Sequence, residues 1–170
     1  MRTKLYPLGL PNLSDADFVK VSVGNCLLHA SLKVVRQCRK NKVAVTFENP
    51  LRSQMWWVPS MQRLARSAQT TDLDFCCFHT RWRKPTKVLS WGVDLQELGK
   101  KCQPVNGLCS TSHRPHLVLE GAAPGGMKWT KVAEPYPQLF CASYALLVSE
   151  QPLASHLLSR GVDKAPDNES

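Results

Sequence analysis

Three groups of residues in this chain carry side chains able to do chemistry. The first is Cys102-x6-Cys109-x3-His113-x2-His116, two thiols and two imidazoles in a stretch rich in glycine and proline. Thiolate and imidazole are ligands that zinc prefers, and four of them could close a tetrahedral site that staples a segment poor in regular structure. The gap between the cysteines is wider than the usual two to four residues and the histidines are closer than usual, so two loop thiols and two solvated histidines are the competing account. The second group is Glu48-Asn49-Pro50, at the end of the apolar, β-branched run Val43-Ala44-Val45-Thr46-Phe47. That run reads as a strand buried on both faces, as in a parallel sheet, and Pro50 should stop it. A carboxylate at the C-terminal end of such a strand sits where open α/β sheets bind ligands, unless it is simply a solvated strand-end acid. The third group is a basic connector, Arg81-Trp82-Arg83-Lys84, with Lys87 just beyond. Its cations could neutralise phosphates while the Trp82 indole stacks on a base, or it could be a solvated hairpin tip.

The surrounding pattern supplies elements to hold these groups. Residues 1–13, punctuated by Pro7, Gly9 and Pro11, form an extended lead-in. Ser14 is a good N-cap, Asp15 and Asp17 suit a helix start, and Phe18, Val21, Leu28, Leu32 and Val35 give an apolar stripe that ends among Arg36, Arg39, Lys40 and Lys42. Gly24-Asn25 interrupts the stripe as a kink or a separate start. A short helix from Ser60 to about Ala68 follows, Gln69-Thr70-Thr71-Asp72 breaks it, and Leu73–Phe78 and Lys87–Trp91 read as strands joined closely enough to be antiparallel neighbours. Asp94–Lys101 is a short helical turn. Residues 102–128 are loop-rich, with only Leu117-Val118-Leu119 suggesting a strand. Tyr136-Pro137 opens a helix bearing Leu139, Phe140, Leu146 and Leu147, which Pro152 ends, and Leu153–Leu158 could add a turn. The organisation expected is a lead-in, one α/β domain over 14–150, and a polar tail over 151–170. Trp56 and Trp57 could line a pocket near Glu48, or cover the sheet.

The chain's 170 residues, 43% of them hydrophobic, suffice for one domain with a real core. Lys and Arg number 22 against 13 Asp and Glu, a net charge of +9 that suits a phosphate-bearing partner such as DNA or RNA. No run reaches the ~20 apolar residues of a membrane helix, so no membrane partner is expected. The N-terminus lacks the apolar segment of a secretory signal, and seven cysteines in no framework spacing favour a reducing setting, intracellular, nuclear or cytoplasmic.

The order of these landmarks resembles the C-terminal half of a DNA (cytosine-5) methyltransferase, in which an ENV-type motif closes a strand and a QxRxR-type motif joins two later antiparallel strands. A fuller resemblance, over about residues 2–148, is to a repetitive group of methyltransferase-like eukaryotic reading frames. It is carried by Gly9-Leu10-Pro11, Gly24-Asn25, Glu48-Asn49-Pro50 with Ser53 and Trp56, Phe78 with Lys84-Pro85-Thr86, His116 before Leu119 and Gly121, and Ala133-Glu134-Pro135-Tyr136-Pro137. The resemblance implies an α/β fold with a partial Rossmann-like, methyltransferase-type sheet. It implies that Glu48 holds the target cytosine through its ring nitrogen and exocyclic amine, with Asn49 beside it. A positioned acid can protonate a ring nitrogen as charge develops there. Arg83, or Lys84 in a second alignment, takes a base- or phosphate-contacting role, with Arg81, Trp82 and Lys87 on the same nucleic-acid-facing connector. Such enzymes act on a base swung out of the duplex.

The sequence also departs from that family. It has no Gly-rich cofactor loop after a first strand, and no cysteine follows a proline, so the Pro-Cys nucleophile is missing. Pro50 stands where the family has valine, and His79 or Trp82 where glutamine is expected. The expectation is therefore a methyltransferase-like fragment, inactive alone, which needs no cofactor unless another polypeptide supplies the missing half of the sheet and its S-adenosylmethionine site. A basic nucleic-acid-binding module and a small zinc-stapled interaction domain are the alternatives.

Overall fold

A computed structural model describes residues 1–150; the expected tail, the stop at Pro152 and the turn at Leu153–Leu158 lie outside them. The first element is helix α1, Asp15–Lys40, capped by the Ser14 hydroxyl accepting from the Asp17 N–H at 3.3 Å, with Asp15 and Asp17 in its first turn and Arg39 and Lys40 in its last. It runs unbroken through Gly24-Asn25. These residues dock the lead-in: the Arg2 guanidinium donates to Val21 O and Asn25 Oδ1, both at 2.9 Å, and Asn25 Nδ2 donates to Leu8 O at 2.7 Å. A Cβ on Gly24 would stand 2.8 Å from Arg2 Nη2, so a bare Cα is what lets the guanidinium lie on the helix. By length and composition α1 could cross a membrane, contrary to the expectation that no stretch is apolar enough. Here Val21, Leu28, Leu32 and Val35 are buried in the protein.

Three strands follow: β1 (Val45–Pro50), β2 (Gln69–Asp74) and β3 (Pro85–Trp91), in the order β1-β3-β2 with β3 antiparallel to both. The parallel ladder expected for 43–48 is thus corrected. β1 pairs antiparallel with β3, Glu48 opposite Val88, and its other edge has no strand partner among the described residues. The run is apolar on alternate sides for another reason, since helices cover both faces of the sheet. On one face Val45, Phe47, Leu89 and Trp91 pack against Leu28, Leu32 and Val35 of α1 and against Met61 and Leu64 of α2 (Pro59–Ala65). On the other, Leu73 and Val88 pack with Phe75, Phe78, Val93, Leu95 and Leu98 beneath Phe140, Tyr144 and Leu147 of a late helix, Gln138–Glu150. The result is mixed α/β in three layers.

Antiparallel pairing of β2 with β3 agrees with the sequence, but the bounds of β2 do not. Gln69-Thr70-Thr71-Asp72, read as a break, is the first part of the strand, and Phe75–Phe78, read as its end, is a single 3₁₀ turn closed by His79 at φ 66. β-branched threonines suit a pleated surface, and Thr71 is buried. Trp56 packs edge-on against Phe47 at 6.2 Å and its indole donates to Pro50 O at 2.8 Å, which makes it cover for β1. Trp57 lies outermost beneath Lys4. From 102 to 128 the backbone makes only isolated bridges, Val105 with Leu108, Leu108 with Pro115 and Ala122 with Lys128. The strand expected at Leu117–Leu119 is absent; Leu117 N–H instead donates to Arg81 O at 2.8 Å. A single helical turn, α3 (Trp129–Val132), precedes the late helix, α4.

Candidate metal centre and the Glu48 corner

The 3₁₀ turn after β2 points Cys76 toward the loop-rich segment, where Cys102, Cys109 and His116 await it. One donor atom from each of these four side chains lies within 4.8 Å of every other, a group able to hold a metal ion, and all three cysteines are buried. Cys102 Sγ is 3.7 Å from Cys109 Sγ and 3.6 Å from His116 Nε2. Three of the residues singled out in the sequence are therefore brought together, but His113 is not among them. It is exposed at φ 53, where its N–H closes a tight turn onto Cys109 O at 2.9 Å. Cys76 takes the fourth place. Its distance in sequence hides it from any search by local spacing, and reading 73–78 as continuous strand hid the turn that aims it.

The surroundings of the sulfurs are polar where they need to be. Thr111 N–H donates to Cys109 Sγ at 3.4 Å, Ser110 Oγ donates to Cys102 Sγ at 3.5 Å, and Gln103 N–H holds Ser110 Oγ at 3.1 Å. Burial pushes the Cys109 thiol up, but donors from Ser112, Thr111 and Cys102 outweigh it and bring the group down to about 5. Burial, the hydrogen bond with Cys102 and the charges of Cys102 and Cys77 hold Cys76 well above the usual thiol range. Three thiolates cannot share this pocket without a cation; with one, ionisation of all three becomes favourable.

Asp74, the last residue of β2, ties the cluster to the basic connector. Its side chain is 4% exposed, and Oδ2 accepts from Cys102 N–H at 2.9 Å and from Arg83 Nη2 at 3.1 Å. The hydrogen bond to Asp74 raises the Arg83 guanidinium above its ordinary value. Arg83 is thus engaged with a buried carboxylate. Lys87 pairs with Asp72 at 3.0 Å, and Lys84 donates to Ala133 O at 3.3 Å while lying 5.2 Å over the Phe75 ring. Trp82 is half-buried, its indole N–H enclosed with no partner among the described residues, and Arg81 is exposed. Most of the connector's charge is used to brace the fold, and Arg81 is left facing solvent.

Glu48 lies on the α4 side of β1, opposite the face of Phe47. Tyr136 donates its hydroxyl to Glu48 Oε2 at 2.7 Å, while Oε1 is enclosed with no partner among the described residues. Burial and the Glu48 carboxylate both raise the Tyr136 phenol above its usual range. The ring stacks on Phe140 at 5.8 Å and meets Phe75 edge-on at 6.0 Å. Two residues earlier on β1, Thr46 Oγ1 meets Tyr144 OH at 3.1 Å. Asn49 points to the other face and donates to Met55 Sδ at 3.0 Å, so it does not share the corner with Glu48. An open cleft of about 440 Å³ is lined by Lys84, Lys128, Thr130, Lys131 and Glu134.

No protein-family model, curated protein or solved structure matches the chain.

Proposed function

We propose that this chain is a methyltransferase-like α/β unit that holds a nucleic-acid base at the Glu48 corner and transfers no methyl group by itself. The observation that carries this reading is the Tyr136–Glu48 hydrogen bond at 2.7 Å, which leaves the second carboxylate oxygen enclosed and without a partner among the described residues. Tyr136 fixes one oxygen, and a base that reaches the other finds an acceptor for its exocyclic amine or a partner to share a proton with a ring nitrogen. The stretches that carry the resemblance support it by meeting here. Glu48 comes from Glu-Asn-Pro, Tyr136 from Ala-Glu-Pro-Tyr-Pro, and Lys84 from Lys-Pro-Thr reaches back to Ala133 of the second. The lysine-lined cleft next to them suits the phosphate of a flipped nucleotide.

The sheet supports a Rossmann-like ancestry in one respect. β1 and β2 are both antiparallel to β3, so they run parallel to each other and are joined through α2. The edge of β1 that has no strand partner among the described residues is where a polypeptide supplying further strands would add, and with it an S-adenosylmethionine site and a nucleophile. None of the chain's seven cysteines follows a proline, and three are drawn into the cluster around His116.

Fluorescence anisotropy with a cytosine-containing single-stranded oligonucleotide, against the same strand with one abasic site, tests this. Glu48→Gln should weaken binding to the intact strand by about tenfold, the worth of a charge-assisted hydrogen bond, and leave the abasic strand unaffected. Equal affinity of wild type for both strands would refute base recognition.

A further inference from the structure

We propose that Cys76, Cys102, Cys109 and His116 bind one structural zinc ion, and that this ion fastens the loop-rich segment to the end of β2. The geometry carries it. Zinc bonds of about 2.3 Å to sulfur and 2.0–2.1 Å to nitrogen, set at tetrahedral angles, place two sulfurs about 3.8 Å apart and sulfur and nitrogen about 3.6 Å apart. The Cys102–Cys109 and Cys102–His116 separations are 3.7 and 3.6 Å. A disulfide between the same thiols needs about 2.05 Å and would leave Cys76 unused.

The ligand set selects the metal. Three soft thiolates and an imidazole suit zinc and offer nothing to calcium or magnesium, which take oxygen. Four protein ligands in a buried pocket leave no open position for substrate, so the site is structural. Ser110 and Thr111 donate to two of the sulfurs, and Asp74 holds the Cys102 backbone, the supporting contacts such a site requires.

The fold also needs the ion. The buried cluster under this segment consists of Cys76, Cys102 and Cys109 with Cys77 against them, so sulfur stands where an apolar core would otherwise be. Between 102 and 128 no strand forms, and the backbone is held by isolated bridges, tight turns and two longer bonds, Cys102 N–H to Asp74 and Leu117 N–H to Arg81 O. A zinc ion here pins three points of the loop to the 3₁₀ turn and, through Asp74 and Arg83, fixes the root of the basic connector.

The test uses the full chain purified without chelator. Elemental analysis should give about one zinc per chain, falling below about 0.2 in Cys76→Ser and staying near one in His113→Ala and Cys77→Ser. X-ray absorption at the zinc edge of the wild-type protein gives a reading independent of whether Cys76→Ser folds, with three sulfurs at about 2.3 Å and one nitrogen at about 2.0–2.1 Å. Less than about half an equivalent of zinc in wild type, or loss of zinc from His113→Ala, would overturn the assignment.

Discussion

The two ends of this molecule are held together by different physics. Under α1 and α2, Leu28, Leu32, Val35, Met61, Leu64, Leu89 and Trp91 make a continuous apolar core. Under residues 102–116, the buried cluster is three cysteines. The first region is stabilised by area removed from water, roughly 25 cal/mol per Å², and tolerates any buffer that leaves the hydrophobic effect intact. The second has sulfur, backbone donors and one buried acid, and on the zinc proposal its stability depends on the metal the thiols bind. The proposed zinc assignment therefore divides one chain into a region indifferent to metal and a region governed by it.

The sharpest way to separate them is to remove the metal. Structural zinc contributes on the order of 10 kcal/mol to small domains that depend on it, more than the whole stability of an ordinary one. Treating the zinc-loaded protein with a tight chelator should abolish hydrogen-exchange protection at the amides of Cys102, Cys109 and Leu117, which bond to Asp74, Arg114 and Arg81. Amides in α1 should keep theirs. Uniform loss across both regions would show that the two are a single cooperative unit.

The converse perturbation is Leu32→Ala. This side chain is 1% exposed at the centre of the α1 core, and truncation there costs about 2–5 kcal/mol in transfer and cavity terms. Thermal melting should shift down by several degrees while zinc content stays the same. A loss of zinc with the melting temperature unchanged would reverse the assignment of roles.

The contrast also governs what the sequence could reveal. Helix α1 was legible from its Ser14 cap and its apolar stripe, and β3 from its composition, because local propensity and burial agree there. Gln69-Thr70-Thr71-Asp72 was read as ending the preceding helix, which it follows, but not as the opening of β2, because Gln69 and Asp72 are polar. Gln69 meets Ser90 at 3.4 Å, and Asp72 is satisfied by Lys87 and Lys101. The direction of the β1 ladder was out of reach, since cover by helices on both faces produces the same apolar run whether neighbours are parallel or antiparallel. At the candidate metal centre, Cys102, Cys109 and His116 were legible from a local pattern, and Cys76 was not. The local pattern supplied His113 in its place, a residue whose backbone makes a turn. At the other corner Glu48 was legible as the acid ending a strand, whereas Tyr136, 88 residues away, was read as a helix start and as part of the Ala-Glu-Pro-Tyr-Pro string, with no link to Glu48.

The smallest expected effect is at that corner, and it separates support from binding. Tyr136→Phe keeps the ring packed on Phe140 and removes only the hydroxyl that Glu48 accepts. Tyr136 is 47% exposed, so the stability cost at neutral pH should stay under about 1 kcal/mol. The pH dependence is more telling. Folding raises the Tyr136 pKa, which means the native state favours the protonated phenol. Its contribution is fully present below the unfolded value near 10 and declines as pH rises through and above it. Urea melts at pH 7 and at about pH 11 should therefore show wild type losing more stability than Tyr136→Phe over that interval. Other alkaline titrations are common to both proteins and cancel in the comparison. Equal losses would mean that the phenol and the Glu48 carboxylate are not coupled in solution, and the oriented oxygen on which base recognition relies would have no support.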